Sequence, residues 1–505
     1  MSKSTSRRDF LKKAAAGASA ALFPMPAIAQ GAPGRVVVVG GGFAGATCAR
    51  FIRRIDPRID VTLVEASPTF TACPFSNTVI AGMRDLKAQQ FGYDKLANDR
   101  VTLAMSPASA VDAQARAVTL ANNSRLPYDR LVLAPGIDIR WDGLPGYNEA
   151  ASERMPHAWK AGEQTTLLRR QLEAMEDGGT VVISAPANPF RCPPGPYERA
   201  SLIAYYLKTK KPKSKLIVLD AKDAFSKQRL FQDAWKHLYP GLLEWVSLSK
   251  GGKVTSVDVA NMTLVTDFGQ HKANVANVIP PQKAGRIAEV AGATDRSGWC
   301  PVDPVTFESK QQPNVHVIGD AAIMGAMPKS AFSANAQAKV CAAAVAKLIG
   351  GGKPDDPRLI NTCYSLVAPD YGISVAGVYR PADGQLKDVE GAGGVSPANP
   401  PRCARPRPGS RMAGSRPSPR KCLASAARRA GAGLAMVLTA LADPAGAETG
   451  LRPYAVVGDA IPAPLTGAKG DPERGRAKGT ENRHHDRDGM TGPRKSPVFL
   501  SLIEL

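Results

Sequence analysis

The first strong hydrophobic run is Val36–Val39, four β-branched residues ended by glycine. A continuous run of that length predicts a buried strand. A helical stretch follows, and a second run, Val61–Val64, predicts a neighbouring strand. Residues 101–105 and 115–120 alternate enough to be strands, and Tyr128–Leu133 is a further apolar strand closed by Ala134-Pro135-Gly136. Residues 163–176 have the spacing of an amphipathic helix. Thr180–Ser184, Ala200–Leu207 and Lys215–Asp220 then read as strand, helix, strand. Val315–Ile318 is a late strand, and Ser330–Leu348 an Ala-rich helix. Strands alternating with helices predict an α/β chain built on parallel sheets.

The turn after the first strand carries Gly40, Gly42 and Gly45, a G-x-G-x-x-G, and the second strand ends on Glu65, 20 residues past Gly45. Gly40 suits the tight turn, Gly42 a close backbone approach to pyrophosphate, and Gly45 close helix–strand packing. The helix N-terminus offers free N–H groups to phosphate, and Glu65 can bind a ribose diol. Between two strands, with an acid at this distance, the motif predicts a dinucleotide site but does not separate FAD from NAD. Residues 130–136 resemble the strand and ATG turn that flavin disulfide reductases set against FAD, with Gly136 at its end. The strand ending in Gly319-Asp320 has the pattern that meets an FAD ribityl chain. The N-terminus of the helix from Ser330 can face the flavin pyrimidine. The second unit differs. After its first strand the chain reads APANPFRCPPGP, where prolines lack the N–H groups a pyrophosphate needs. NAD(P)H binding is not expected there.

Charge changes little. The net +21 divides into +4 in residues 1–30, +8 in 31–398 and +9 in 399–505. No basic–aromatic interleaving occurs, which argues against nucleic acid as a partner. The N-terminal excess is an address: Ser6-Arg7-Arg8-Asp9-Phe10-Leu11-Lys12 is a twin-arginine pattern, followed by apolar Ala14–Phe23 and small Ala27-Ile28-Ala29. The apolar part is too short to span a bilayer, so no transmembrane segment is expected. Export to the periplasm of a protein already folded around its cofactor is expected.

Of eight cysteines none pairs at CxxC or CxxCH spacing, which disfavours a zinc ribbon, any metal site and haem in this chain. Cys73, Cys192 and Cys300 lie in Pro-flanked, loop-like settings where a sulfur's direction is fixed. Cys48, Cys341 and Cys363 read as buried packing.

These residues resemble a family. ATCARFIRRIDP, PHAWKAGEQT, FRCPPGPYERAS, GWCPVD, HVIGDA, MPKSAFSAN and NTCYSLVAPDYGISVAGVYRP are similar to the flavoprotein subunit of flavocytochrome c sulfide dehydrogenase, over residues 1–398. The resemblance implies two Rossmann-like domains of the glutathione-reductase type, one for FAD (31–150 and 281–353) and one without an NAD fingerprint (151–280). It adds a small C-terminal interface domain (354–398). It implies FAD bonded covalently through Cys73 and a Cys192–Cys300 redox disulfide beside the flavin. Glu198 is the candidate proton acceptor. Gly136, Gly319, Asp320, Lys329 and Ser330 join the fingerprint glycines and Glu65 as cofactor-binding residues. Sulfide would attack the disulfide, which cysteine first being open, and FAD would pass electrons to haem in a c-type cytochrome partner.

Past residue 398 the resemblance stops. A Pro/Arg-rich stretch leads to what resembles a second export signal, then to YAVVGDAIPAPLTGAKGDPERGRA, similar to the start of a thiosulfate-oxidation monohaem cytochrome. Residues 399–505, with Tyr454 and Phe499 their sole aromatics, read as a frameshift or fusion tail expected to be disordered. Two other functions fit the pattern. One is a sulfide:quinone oxidoreductase, which would need a C-terminal membrane-docking surface. The other is an accessory protein that maintains the redox state of thiosulfate-oxidising partners.

Overall fold

The computed structural model describes residues 34–397. The twin-arginine segment and the tail of 399–505 lie outside the described residues. In chain order come β1 (Arg35–Val39), α1 (Phe43–Ile55), β2 (Asp60–Glu65), α2 (Ser76–Ile80), β3 (Thr102–Met105), β4 (Arg130–Leu133) and β5 (Ile137–Ile139). Next are α3 (Glu163–Ala174), β6 (Thr180–Ala185), α4 (Gly195–Lys210), β7 (Lys215–Asp220), α5 (Gln228–Leu238), β8 (Leu243–Val246) and β9 (Val275–Val278). The chain then forms β10 (Gln282–Ala284), β11 (Cys300–Pro301), β12 (Val315–Val317), β13 (Ala322–Ile323) and α6 (Ala331–Ile349). It closes with β14 (Leu359–Ala368), β15 (Tyr371–Ala382) and β16 (Gln385–Asp388).

The first sheet is parallel, in the order β12-β4-β1-β2-β3. Its centre, β1, is buried on both faces because Val36–Val39 all point into packed protein. Each such valine contributes roughly 1.5–3 kcal/mol by leaving water. Helix α1 can lie hard against this strand only because Gly45 has no side chain: a Cβ there would stand 1.8 Å from the Gly40 carbonyl oxygen. On its other side α1 packs on α6, and the buried thiols of Cys48 and Cys341 meet in that seam.

Between β4 and its late neighbour β12 the chain makes a long excursion. β5 leaves and β10 returns as an antiparallel pair, Ile137 opposite Ala284. Inside the excursion lies a second parallel sheet, β8-β7-β6-β9. Its helix α4 begins at Gly195, earlier than the apolar pattern predicts. Pro196 is harmless in a first turn, where its missing N–H would have no partner anyway.

β14, β15 and β16 form an antiparallel sheet with the short strand Gly394–Val395, and β14 lies against both α4 and α6. It thereby links the helix of the second parallel sheet to the helix that packs on α1. Among the described residues no helix is long and apolar enough to cross a membrane.

Candidate active site

The dinucleotide cradle is built by the β1–α1 turn. Gly40 takes φ +100 and donates its N–H to the Val64 oxygen at 2.9 Å. Glu65 accepts the Gly41 amide at 2.5 Å and the amides of Ala66 and Ser67 at 2.8 and 3.1 Å. A Cβ on Gly42 would meet nothing nearer than Phe70 at 3.5 Å, and one on Gly136, at φ +66, nothing within 4 Å. Gly136 therefore borders open space, and Gly42 would make only ordinary contact with Phe70. Gly319 donates to Gln337 at 2.8 Å. Asp320 follows it, and its Oδ1 is buried without a partner. Burial pushes that carboxyl up, against the pull of Arg191 and Lys329. An orphaned buried acceptor following the Gly319 turn fits the hydroxyl-rich ribityl chain of FAD.

Lys329 braces this region. Its Nζ donates to the carbonyls of Asp320 and Ala322 at 2.7 and 2.8 Å and lies 3.9 Å from the centre of the Trp299 ring. Burial brings its pKa down to about 8. Ser330 caps α6: its Oγ accepts the Ser333 amide at 3.0 Å and donates to Asn361 Oδ1 at 2.6 Å.

The sulfur chemistry converges beside the cradle. Cys192 sits at φ +57 in the turn leading into α4, its N–H donated to the Lys329 carbonyl at 2.8 Å. A side chain on Gly195 would press into the Trp159 ring at 2.7 Å and the Cys192 sulfur at 3.1 Å, so glycine starts the helix. Burial raises the Cys192 thiol, and the charged groups around it are Cys363, Glu198, Lys227 and Arg191. Cys73, whose sulfur lies 3.9 Å from the Trp159 carbonyl oxygen, shares Arg191 and Arg199 with Cys192. The three sites of the N-terminal loop, the α4 turn and β14 thus meet.

No bond joins Cys192 to Cys300. Cys300 is fully buried on β11, opposite Ala322 of β13. Its thiol is pushed up to about 12 by burial, eased by Lys329. The cysteine whose charge bears on Cys192 is Cys363 on β14, and Lys227 and Glu198 act on both. All six described cysteines are free thiols. Reading Cys363 as packing missed a signal in its strand. Asn361, Cys363 and Ser365 alternate along β14 and so share one face. That face is polar within a largely buried strand: Asn361 takes the Ser330 hydroxyl, and Ser365 the Lys227 ammonium. Pro301 stiffens Cys300 but points it into a two-residue bridge.

Glu198, in the first turn of α4, accepts the Leu366 amide at 2.8 Å and the Asn77 amide nitrogen at 2.9 Å. Burial raises its pKa, opposed by those two bonds and by Lys227 and Arg199. Arg199 is buried and donates to Asn77, Asn277 and the carbonyls of His157 and Ala158. Arg191, Arg199 and Lys227 were not singled out from sequence, since a basic residue gives no sign of which way it will point.

The second parallel sheet ends its β7 on Asp220, where an acid would meet a ribose in an NAD site. Here the acid is fully buried and takes the Tyr197 hydroxyl, Trp245 Nε1 and Lys222 Nζ at 2.6, 2.9 and 2.6 Å. Tyr197 also stacks on Phe225 with centroids 3.6 Å apart. The carboxylate's acceptor capacity is spent on the chain's own donors. Among the described residues no group of three or more His, Cys, Asp or Glu could hold a metal ion.

Two Rossmann-type sheets, a glycine cradle and an unmatched Asp320 define an FAD-binding oxidoreductase of the disulfide-reductase type. Residues 34–177 match the pyridine nucleotide-disulphide oxidoreductase family. Residues 165–280 match the central region of the sulfide dehydrogenase [flavocytochrome c] flavoprotein chain, and 355–412 the flavin-binding region of flavocytochrome c sulphide dehydrogenase. The chain belongs to the flavocytochrome c sulfide dehydrogenase flavoprotein family. It is 62% identical over 45 residues to that flavoprotein chain of Chlorobaculum thiosulfatiphilum, covering 94% of that short sequence and 9% of this one. It is 24% identical over 307 residues to the mitochondrial sulfide:quinone oxidoreductase of Mus musculus, 56% of this chain and 65% of that one. In fold it resembles the sulfide:quinone oxidoreductase of Aquifex aeolicus, with TM-score 0.58, 18% identity and coverage of 70% and 86%. The putidaredoxin reductase of a covalent complex with putidaredoxin gives TM-score 0.54 at 18% identity, covering 72% and 90%.

Proposed function

We propose that this flavoprotein oxidises sulfide to polysulfide or sulfur at a Cys192–Cys363 redox pair and delivers the electrons to a c-type cytochrome subunit. The observation that carries the reading is the convergence of the Cys192 turn and the Cys363 strand on Glu198 and Lys227: Glu198 takes the Leu366 amide at 2.8 Å, Lys227 donates to the Cys363 carbonyl at 3.2 Å, and both charges act on both thiols. Hydrosulfide attacks the oxidised pair. The S–S bond between the cysteines breaks, a new S–S bond joins the substrate sulfur to one of them, and the other leaves as thiolate. The single negative charge of hydrosulfide is conserved in that thiolate. Glu198, its pKa raised by burial, is placed to take the proton from the persulfide. FAD, held by Gly40, Gly42, Gly45, Glu65, Gly136, Gly319 and Asp320, supplies the two-electron acceptor that can release electrons singly.

Cys73 is the proposed covalent tether, supported by its place beside Arg191 and Arg199, the arginines that also border Cys192. Haem belongs to the partner, since the chain has no CxxCH. Twin-arginine export to the periplasm is proposed from Ser6–Lys12. The division into an FAD domain (31–150 and 281–353), a second Rossmann-like domain (151–280) and an interface domain (354–398) is part of the proposal, supported by the excursion between β5 and β10. The test is direct: purified flavoprotein and a c-type cytochrome are given sulfide, and haem reduction is followed optically. Reduction requiring the flavoprotein supports the reading. Sulfide-dependent reduction of a quinone with no haem reduction overturns the cytochrome assignment.

A further inference from the structure

Lys227 is a buried cation that the dinucleotide fold does not require. It stands before α5 at φ +62, is 7% exposed, and sends its Nζ across to β14, 2.8 Å from Ser365 Oγ and 3.2 Å from the Cys363 carbonyl oxygen. Two of its three N–H groups are thereby directed, and they fix the ammonium against the strand that bears Cys363. No carboxylate forms a salt bridge with it among the described residues, although Glu198 lies within electrostatic reach. A long side chain buried from one sheet and tied to another is costly unless its charge is used.

We infer that Lys227 is the electrostatic positioning residue of the sulfur site, holding the negative charge that enters as hydrosulfide and stays as a cysteine thiolate. The inference rests on Cys192 and Cys363 being the redox pair. The charge balance in that reaction is simple: one anion enters, one S–S bond is exchanged for another, and one anion remains. An ammonium fixed on the Cys363 carbonyl and within electrostatic reach of both sulfurs meets the charge before and after the exchange without moving. The other charged groups facing the pair are Arg191 and Arg199 from the α4 side and Glu198 from α4 itself. Arg199 is occupied by Asn77, Asn277 and two carbonyls, and Arg191 is drawn towards Asp320, 4.0 Å away. Lys227 is the cation whose bonds run to the Cys363 strand.

The test uses the full chain, reduced and then alkylated with iodoacetamide from pH 6 to 10, with Cys192 and Cys363 peptides quantified by mass spectrometry. Lys227→Met and Lys227→Gln should shift the alkylation profile of Cys363 to higher pH by a unit or so, slowing labelling at pH 8 about tenfold. Both should raise the KM for sulfide more than they lower kcat, and Lys227→Arg should restore most of each loss. Lys227→Gln keeps a donor for Ser365, so it separates charge from tethering. If Gln behaves like wild type in labelling and KM, the inference falls. Oxidised wild-type protein is digested in parallel. If it yields no Cys192–Cys363 linked peptide, the redox-pair reading falls instead. A linked peptide with unchanged labelling in the variants overturns the Lys227 role alone.

Discussion

Glu198 and Leu366 are joined by a 2.8 Å hydrogen bond across 168 residues of chain, carboxylate oxygen to backbone amide. The bond anchors the first turn of α4 to β14, and so brings the turn bearing Cys192 and the strand bearing Cys363 within reach of one carboxylate. Glu198→Gln keeps an acceptor for Leu366 but turns an N–H₂ group towards the Asn77 donor. We expect kcat to fall about 100-fold, in the range typical of a lost proton acceptor. The acid limb of the kcat/KM pH profile should disappear. Circular dichroism and melting will show whether folding is retained.

Cys192→Ser and Cys363→Ser should each reduce sulfide-dependent haem reduction to background. Cys300→Ser should keep turnover, at a stability cost of roughly 1–3 kcal/mol for a hydroxyl in a buried site. Parallel turnover and urea titrations separate the two effects. A Cys300→Ser enzyme that is folded but inactive would restore the pairing expected from sequence.

Cys73→Ala should retain bound flavin during purification yet lose it to the supernatant on acid precipitation. Wild type should keep the yellow colour in the pellet. Mass spectrometry of the Cys73 peptide gives the same answer independently: the flavin mass is present or it is not.

Acid should destabilise the protein through His157. This ring is buried, and its Nδ1 accepts the Trp159 amide at 2.9 Å, so it is held neutral with a pKa near about 4. The unfolded chain binds a proton at this histidine below its ordinary 6.5. Between pH 6.5 and 4 the unfolded state therefore holds more protons, and stability falls as pH falls, by up to about 3 kcal/mol. His157→Asn, which offers an oxygen to the same amide, should flatten the dependence of urea midpoint on pH in that window.

Gly45→Ala should fail at the cradle. Its methyl would enter the Gly40 carbonyl at 1.8 Å, and backbone cannot yield as a side chain can. Flavin content per protein should drop well before secondary structure is lost. Full flavin loading in this variant would contradict the close approach of α1 and β1.

Much of the architecture was legible in the chain because it rests on short-range rules. Val36–Val39 must be buried, Gly40 must turn, and Gly45 must admit a helix; each depends on a few neighbouring residues. The family likeness and the FAD cradle follow from that local grammar. Cys363 was not legible in the same way. Its strand reads as packing until one knows that Ser330 and Lys227 cover its polar face.

The sequence by itself therefore determined the α/β class, the dinucleotide turn, the lack of a glycine fingerprint after the first strand of the second unit and the cysteines available for chemistry. Only the tertiary structure decided which sulfurs meet. Partners separated by 171 residues are brought together by β14 docking on α4 and α6, and nothing in local composition encodes that docking. Side-chain direction at long range is a property of packed layers, which is why Cys300 turned inward and Cys363, with Lys227 behind it, faces the site.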